Sequence, residues 1–114
     1  MTLRFSDVCI DAADVHALGQ WWSDALGWPA ETTDDGDVQL RATAGPNLLF
    51  LAVPEGKTIK NRIHFDFTPD DQQAEVDRLV GLGARHVDVG QGEQSWVVLA
   101  DPEGNEFCVL SGRG

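Results

Sequence analysis

Hydrophobic positions recur at helical spacing in two stretches of the chain. In the first stretch, apolar residues three and four positions apart share one face, namely Val15, Leu18, Trp22 and Ala25. This face predicts an amphipathic helix that covers a sheet. The helix should end near Leu26 and Gly27, because glycine readily adopts the backbone conformation that closes a helix.

The second stretch predicts another helix with a marked N-terminus. Thr68 suits the N-cap and Pro69 suits the first helical position. Asp70 and Asp71 favour the positive end of the helix dipole. An apolar stripe then follows, made of Val76, Leu79 and Val80. We expect this helix to end near the Leu-Gly pair at residues 82–83.

Alternating apolar and polar residues predict short strands before and after each helix. One strand precedes each helix, at residues 5–10 and 63–67. Three candidates separated by turn residues follow each helix, at about 29–33, 37–43 and 47–53 and at about 84–89, 95–100 and 105–111. Residues 101–104 (DPEG) have Asp, Pro and Gly where a type I turn places them, so the last two strands should form a hairpin.

The two halves therefore carry the same order of signals, which indicates an internal repeat of residues 4–53 in residues 61–111. The pattern βαβββ, written twice, predicts an α+β fold with mostly antiparallel pairing. A chain of 114 residues suits one domain over residues 1–114, with module one at about 3–53, a linker at 54–60 and module two at about 61–111. Neither GxGxxG nor GxxxxGK[ST] occurs, so we expect no nucleotide cofactor.

Charge and cysteine content narrow the classes of partner. The net charge of -11 disfavours nucleic acid and anionic membrane surfaces, whose phosphates would be repelled. The chain lacks a long apolar stretch and a signal-peptide pattern, so we expect a cytoplasmic protein. Cys9 and Cys108 are far apart and form no CxxC motif, so we expect reduced thiols buried as small apolar residues.

Two residues at corresponding places in the second half are candidates for a functional site. His64 lies on the first predicted strand of that half and Glu106 on the last. An imidazole and a carboxylate converging from two strands could hold a metal ion. Strand alternation places Asp66 on the face of His64 and Cys108 on the face of Glu106. In a metal-free alternative, His64 hydrogen-bonds Glu106 or Asp66 and the pocket only binds a ligand.

Three segments in this order resemble the vicinal oxygen chelate superfamily, in its glyoxalase-like or bleomycin-resistance-like branch. They are residues 21–28 (WWSDALGW), residues 57–66 (KTIKNRIHFD) and residues 96–108 (WVVLADPEGNEFC). The resemblance covers nearly the whole chain. It implies two βαβββ modules that form a cup-shaped eight-stranded sheet, and it implies a homodimer.

The resemblance also implies metal ligands on the first and last strand of each module. These positions map to Asp7, Leu48 or its neighbour, His64 and Glu106. Asp7 stands where the family usually has His or Gln, and the second position is apolar. One imidazole and two carboxylates would suit Mn, Fe, Ni or Zn with open positions for substrate.

Further residues become candidate ligand contacts under this resemblance. Leu48 and Phe50 would form an apolar pocket floor, and Asp66 and Cys108 would face the substrate. Trp96 lies on the strand beside Glu106 and either stacks against a ligand or fills the core.

Two functions fit these observations. In the first, Asp7, His64 and Glu106 hold a divalent metal in a lyase, isomerase or dioxygenase, and Glu106 also shuttles a proton as a catalytic residue. In the second, the protein sequesters an antibiotic or metabolite without converting it. The acidic charge, the tryptophans and the incomplete ligand set favour that second function.

Overall fold

Each half of the chain folds as a four-stranded sheet with one helix. The computed structural model describes residues 5–87 and 95–111. Contacts divide the chain into two units, residues 1–56 and 57–114, which are called the first and second unit below. Neither of the described helices is long and apolar enough to cross a membrane.

The first unit contains one helix between its first two strands. Its elements are β1 (Asp7–Ala12), α1 (Val15–Leu26), β2 (Ala30–Thr32), β3 (Val38–Leu40) and β4 (Asn47–Ala52). The strand order is β1-β4-β3-β2. Strand β1 runs parallel to β4, whereas the other two pairs are antiparallel.

Helix α1 forms where the hydrophobic spacing predicts it. The Asp14 carboxylate accepts a hydrogen bond from the Ala17 N–H at 3.2 Å and so caps the N-terminus. Gly27 closes the helix in the left-handed conformation, with φ +72°. The predicted apolar face is buried: Val15, Leu18, Trp22 and Ala25. Gly19 lies on β3 so closely that an added Cβ would come 2.6 Å from Cγ1 of Val38.

The second unit repeats the same topology. Its elements are β5 (Phe65–Phe67), α2 (Gln72–Gly81), β6 (Arg85–His86), β7 (Val97–Ala100) and β8 (Glu106–Val109). The strand order is β5-β8-β7-β6, and β5 runs parallel to β8. Of the strand predicted at about 84–89, the structure shows β6 at Arg85–His86, and residues 88–89 lie outside the described residues.

Helix α2 begins later than the sequence pattern predicts. Its N-cap is Asp71, whose carboxylate accepts the Ala74 N–H at 3.1 Å, so the prediction of Thr68 as N-cap and Pro69 as first helical residue is wrong. Gln72 is the first helical residue, and its side-chain amide donates to two backbone carbonyls, of Ser95 at 2.8 Å and Val109 at 3.1 Å.

The apolar stripe of α2 is narrower than predicted. Val76 and Leu79 are buried, whereas Val80 is 40% exposed. The helix therefore covers its sheet with two of the three predicted residues.

The α+β class and the two βαβββ modules are confirmed. The described strands form two four-stranded mixed sheets, however, rather than one eight-stranded sheet. Four of the six described strand pairs are antiparallel, and the two parallel pairs join the first strand of each unit to its last. In each unit the helix leads from the first strand to the strand at the opposite edge of the sheet, and the two antiparallel pairs that follow bring the last strand back beside the first and parallel to it.

Candidate functional site

A buried carboxylate shapes the turn that leads into β8. Asp101 is fully buried, and its Oδ1 accepts the N–H groups of Glu103 and Asn105, each at 2.9 Å. The Gly104 N–H donates to the Asp101 carbonyl at 2.9 Å, and Gly104 adopts φ +89°. The predicted hairpin is confirmed, and Glu106 becomes the first residue of β8.

Strand alternation then separates two faces of the second sheet. On one face Asp66, Cys108 and Val98 stand side by side, since Asp66 pairs with Cys108 and Cys108 with Val98. The opposite face carries aromatic core residues. Phe107 is 1% exposed there, and its ring meets that of Phe67 edge-on with centroids 5.9 Å apart.

A pocket of about 300 Å³ opens on the first of these faces. Its apolar wall consists of Trp96, Val98 and Leu110. Its polar part consists of Lys60, Asn61, His64, Asp66, Glu106 and Cys108. Five sequence-predicted residues, His64, Asp66, Trp96, Glu106 and Cys108, are therefore brought together by the second unit alone.

Glu106 is already engaged by two partners. Lys57 Nζ donates to its Oε2 at 2.9 Å, and the Asn61 N–H donates to its Oε1 at 2.9 Å. The two charged side chains are only 13% (Glu106) and 18% (Lys57) exposed. Burial opposes ionisation, but the bonds from Asn61 and Lys57 and the Lys57 charge outweigh it and hold the pKa of Glu106 below its ordinary value.

This electrostatic setting weakens one predicted role of Glu106. A general base acting near neutral pH needs a raised pKa, whereas that of Glu106 is lowered. The proton-shuttle role therefore stays a prediction that the ion pair with Lys57 does not support. Lys57 and Asn61 were not predicted to contact Glu106, and the only signal in the sequence was the cluster of basic residues at 57–62.

His64, Asp66 and Cys108 form a separate cluster in the same pocket. His64 Nε2 lies 3.4 Å from Asp66 Oδ1, a contact that the metal-free alternative anticipated. One ligand atom from each of the three residues lies within 4.8 Å of the others. Burial raises the pKa of the Cys108 thiol, the charge and hydrogen bond of Asp66 raise it further, and Lys60 acts in the opposite direction.

The remaining predicted site residues belong to the first unit. Asp7 begins β1, and Gln39 Nε2 donates to its Oδ1 at a long 3.4 Å. Leu48 and Phe50 are 6% and 0% exposed. Phe50 pairs with Val38, and α1 packs on Val38. Leu48 is two residues from Phe50 on the same strand, so both side chains lie on the helix-covered face. Their predicted role as a pocket floor is at odds with this burial.

The predicted metal ligand set fits a cation poorly. The ammonium of Lys57 lies 2.9 Å from the Glu106 carboxylate and would repel a metal ion at that position. Within the described residues, the donor atoms that do gather are those of His64, Asp66 and Cys108. Nitrogen, oxygen and sulfur donors of this kind fit a divalent transition metal.

Solved structures confirm the fold. A glyoxalase/bleomycin resistance protein/dioxygenase family enzyme from Burkholderia phytofirmans PsJN matches with TM-score 0.70 and 20% identity, over 91% of this chain and 94% of that one. A glyoxalase/bleomycin resistance protein from Albidiferax ferrireducens T118 matches with TM-score 0.66 and 17% identity, over 96% and 98%. Oxidase ChaP-H2 matches with TM-score 0.68 and 18% identity, over 100% and 96%.

Sequence comparison assigns the family. No curated protein sequence matches the chain significantly. The model of the glyoxalase-like domain matches residues 7–110, which is nearly the whole chain and includes both units. The chain therefore belongs to the glyoxalase-like domain family, within the vicinal oxygen chelate superfamily.

Proposed function

We propose that the pocket of the second unit binds a small oxygenated metabolite and that the protein converts it with a divalent metal ion, as a lyase, isomerase or dioxygenase. The observation that carries the proposal is the pocket itself. Its lining combines the imidazole of His64 and the carboxylate of Asp66 with an apolar wall that includes Trp96. A volume of about 300 Å³ suits a small molecule.

The apolar wall and the polar part of the pocket contact different parts of the ligand. Trp96 and Leu110 cover the carbon skeleton of a ligand and exclude water from it. His64 and Asp66, whose side chains are 45% and 51% exposed, are accessible to the polar end of the ligand. A bound divalent metal would polarise two neighbouring substrate oxygens and stabilise the anion that forms on them.

Glu106 serves this pocket by positioning its wall. Its hydrogen bonds to Lys57 and Asn61 tie the segment that precedes β5 to the start of β8. Lys60 and Asn61, which line the pocket, belong to that segment. The ionised Glu106 therefore holds one side of the pocket in place and leaves His64 to meet the ligand.

Sequestration without conversion is the second candidate function. The observation that favours it is the ion pair of Glu106 with Lys57, which occupies the carboxylate that catalysis was predicted to use. An apolar wall with tryptophan would retain a ligand without any reaction.

One experiment separates the two functions. The protein is loaded in turn with Zn²⁺, Mn²⁺, Ni²⁺ and Fe²⁺ and incubated with α-hydroxy ketones, 2-oxo acids and catechols. Mass spectrometry follows conversion, and calorimetry follows binding. Conversion that requires metal, is lost in Trp96→Ala and is retained in Trp28→Ala supports the enzyme. Binding without conversion under every metal favours sequestration, and absence of both refutes the small-molecule site.

We also propose that the chain forms a homodimer, as the family resemblance implies. Two large apolar side chains of the second unit, Ile59 and Ile63, are 73% and 80% exposed and offer surface for a partner. Light scattering coupled to size-exclusion chromatography tests this. A mass near 12.4 kDa at all concentrations would contradict it.

A further inference from the structure

We infer that His64, Asp66 and Cys108 form a metal site with one thiolate ligand, selective for Zn²⁺ and similar thiophilic ions. The inference rests on the proposed function, since it names the ligands of the metal which that function uses. The site differs from the predicted set of Asp7, His64 and Glu106 in two of its three ligands.

Strand register brings the three donors together. Asp66 and Cys108 are direct partners in the parallel pair of β5 and β8, so their side chains stand next to each other on one face. His64 was predicted on the strand but lies immediately before β5, two residues from Asp66, and lines the same pocket. No long loop is needed to assemble this cluster.

The distances are close to those of a coordinated ion. Bonds of about 2.0 Å to nitrogen and oxygen and about 2.3 Å to sulfur, at tetrahedral angles, place ligand atoms about 3.3–3.5 Å apart. His64 Nε2 and Asp66 Oδ1 are already 3.4 Å apart. The largest separation in the cluster is within 4.8 Å, so closing it takes a shift of about 1 Å. The half-exposed side chains of His64 and Asp66 can rotate by this amount.

Charge favours this cluster over Glu106. The Glu106 carboxylate is neutralised by Lys57 at 2.9 Å, and its second oxygen accepts the Asn61 N–H. The negative charge of Asp66 faces His64 and Cys108 instead. Lys60 lines the same pocket and offsets part of that charge, but it has no such short contact with Asp66 among the described ion pairs.

The donor types determine which metal binds. A thiolate is a soft ligand, which favours Zn²⁺ and Co²⁺ over Mg²⁺ and Mn²⁺. As the bond from sulfur to metal forms, the Cys108 thiol releases its proton to solvent, so no oxidant or reductant takes part. Three protein ligands leave a fourth position for water or substrate, the arrangement typical of catalytic rather than structural zinc sites.

Cobalt titration of the full chain tests the site. Co²⁺ bound by a thiolate gives a charge-transfer band in the near ultraviolet, and Zn²⁺ should abolish that band by displacement. We expect the band in the wild type and its loss in Cys108→Ser. In Cys108→Ser the affinity for Zn²⁺, measured by chelator competition, should fall more than about 100-fold. Loss of a residue that only supports a metal ligand already lowers metal affinity by about 10- to 100-fold.

Matched variants control for unfolding and for nonspecific binding. Cys9 is exposed, so the prediction that both cysteines are buried is wrong for this residue, and Cys9→Ser should leave the band unchanged. His64→Gln and Asp66→Asn alter side chains that are 45% and 51% exposed, so they keep the test valid if Cys108→Ser does not fold. His86→Gln, at an exposed position in β6, is the control for His64.

The possible outcomes distinguish this site from the proposed function. A wild-type protein without the band, or a band that survives in Cys108→Ser, overturns the thiolate site. Metal binding that is lost only in Glu106→Gln overturns it too and leaves a metal-dependent enzyme standing. A thiolate-bound metal with no small-molecule binding confirms the site and refutes the proposed function.

Discussion

Removing Lys57 provides a direct test of how the pocket is held together. In Lys57→Met the apolar stem of the side chain is kept, while the ammonium that contacts Glu106 at 2.9 Å is lost. Glu106 is then left 13% exposed, with its hydrogen bond from the Asn61 N–H but without a countercharge. We expect the variant to fold and to be less stable than the wild type.

The expected loss in the free energy of unfolding lies between two limits. Exposed ion pairs contribute about 0.2–1 kcal/mol, whereas removing one partner of a fully buried pair costs about 3–5 kcal/mol. Side chains that are 13% and 18% exposed are near the buried limit, so we expect a loss of about 2 kcal/mol. For 114 residues, about 1 kcal/mol shifts the Tm by about 4 °C, so the Tm should fall by about 8 °C.

The effect should depend on pH in a defined direction. The pKa of Glu106 is lowered in the folded protein, so its ionised form contributes stability above the ordinary pKa of glutamate, about 4.3. That contribution is lost as the pH falls through the lowered value. The difference between wild type and Lys57→Met should therefore be largest near pH 7 and shrink at acidic pH.

Urea unfolding at a series of pH values measures this difference. Arg41→Met is the control, because it breaks an ion pair with Glu31 whose side chains are 61% (Arg41) and 55% (Glu31) exposed. That variant should lose less than about 1 kcal/mol. The reasoning fails if Lys57→Met matches the control at pH 7, or if its deficit persists unchanged at acidic pH.

Two further substitutions test local features of the helices. Asp71→Ala should lose about 1 kcal/mol because it removes the N-cap of α2, whereas Thr68→Ala should change little; the reverse order in urea unfolding would place the helix start at Thr68. Gly19→Ala should lose about 1 kcal/mol, since a Cβ 2.6 Å from Val38 outweighs the gain in helix propensity. The same change in a Val38→Ala background should be neutral or stabilising, and equal losses in both backgrounds would exclude the predicted clash.

The sequence predicts a helix boundary well where only one residue is suited to cap it. Helix α1 has one apolar face and one glycine at its end, and both were found as expected. The start of α2 offered several capping residues within four positions, and their local preferences are similar. The structure uses Asp71, and the next residue, Gln72, bonds to carbonyls 23 and 37 residues away, contacts that no local pattern reveals.

Strand alternation predicts which site residues of one strand share a face, but it does not predict which residues of two strands are paired. Alternation placed Asp66 with His64 and Cys108 with Glu106, but the direct pairing of Asp66 with Cys108 depends on the parallel strands β5 and β8. The contact of Lys57 with Glu106 spans 49 residues and was likewise hidden.

The predicted site position at Leu48 or its neighbour depends on which of these two residues faces Asp7. A shift of one residue along a strand moves a side chain to the opposite face. Leu48 lies on the helix-covered face, whereas its neighbour Leu49 pairs with Gln39, whose amide contacts Asp7. The family pattern located the strand correctly but did not specify which of the two residues faces Asp7.

The alternation of β8 gives its residues two different environments. Glu106 and Cys108 line the pocket, while the alternate residues Phe107 and Val109 are buried in the core. The pocket positions are also structural, because Cys108 is 7% exposed and Glu106 forms the ion pair with Lys57. A shift of β8 by one residue relative to its neighbours would exchange the two sets, so the turn fixed by Asp101, which precedes β8, helps to decide which residues of the strand reach the pocket.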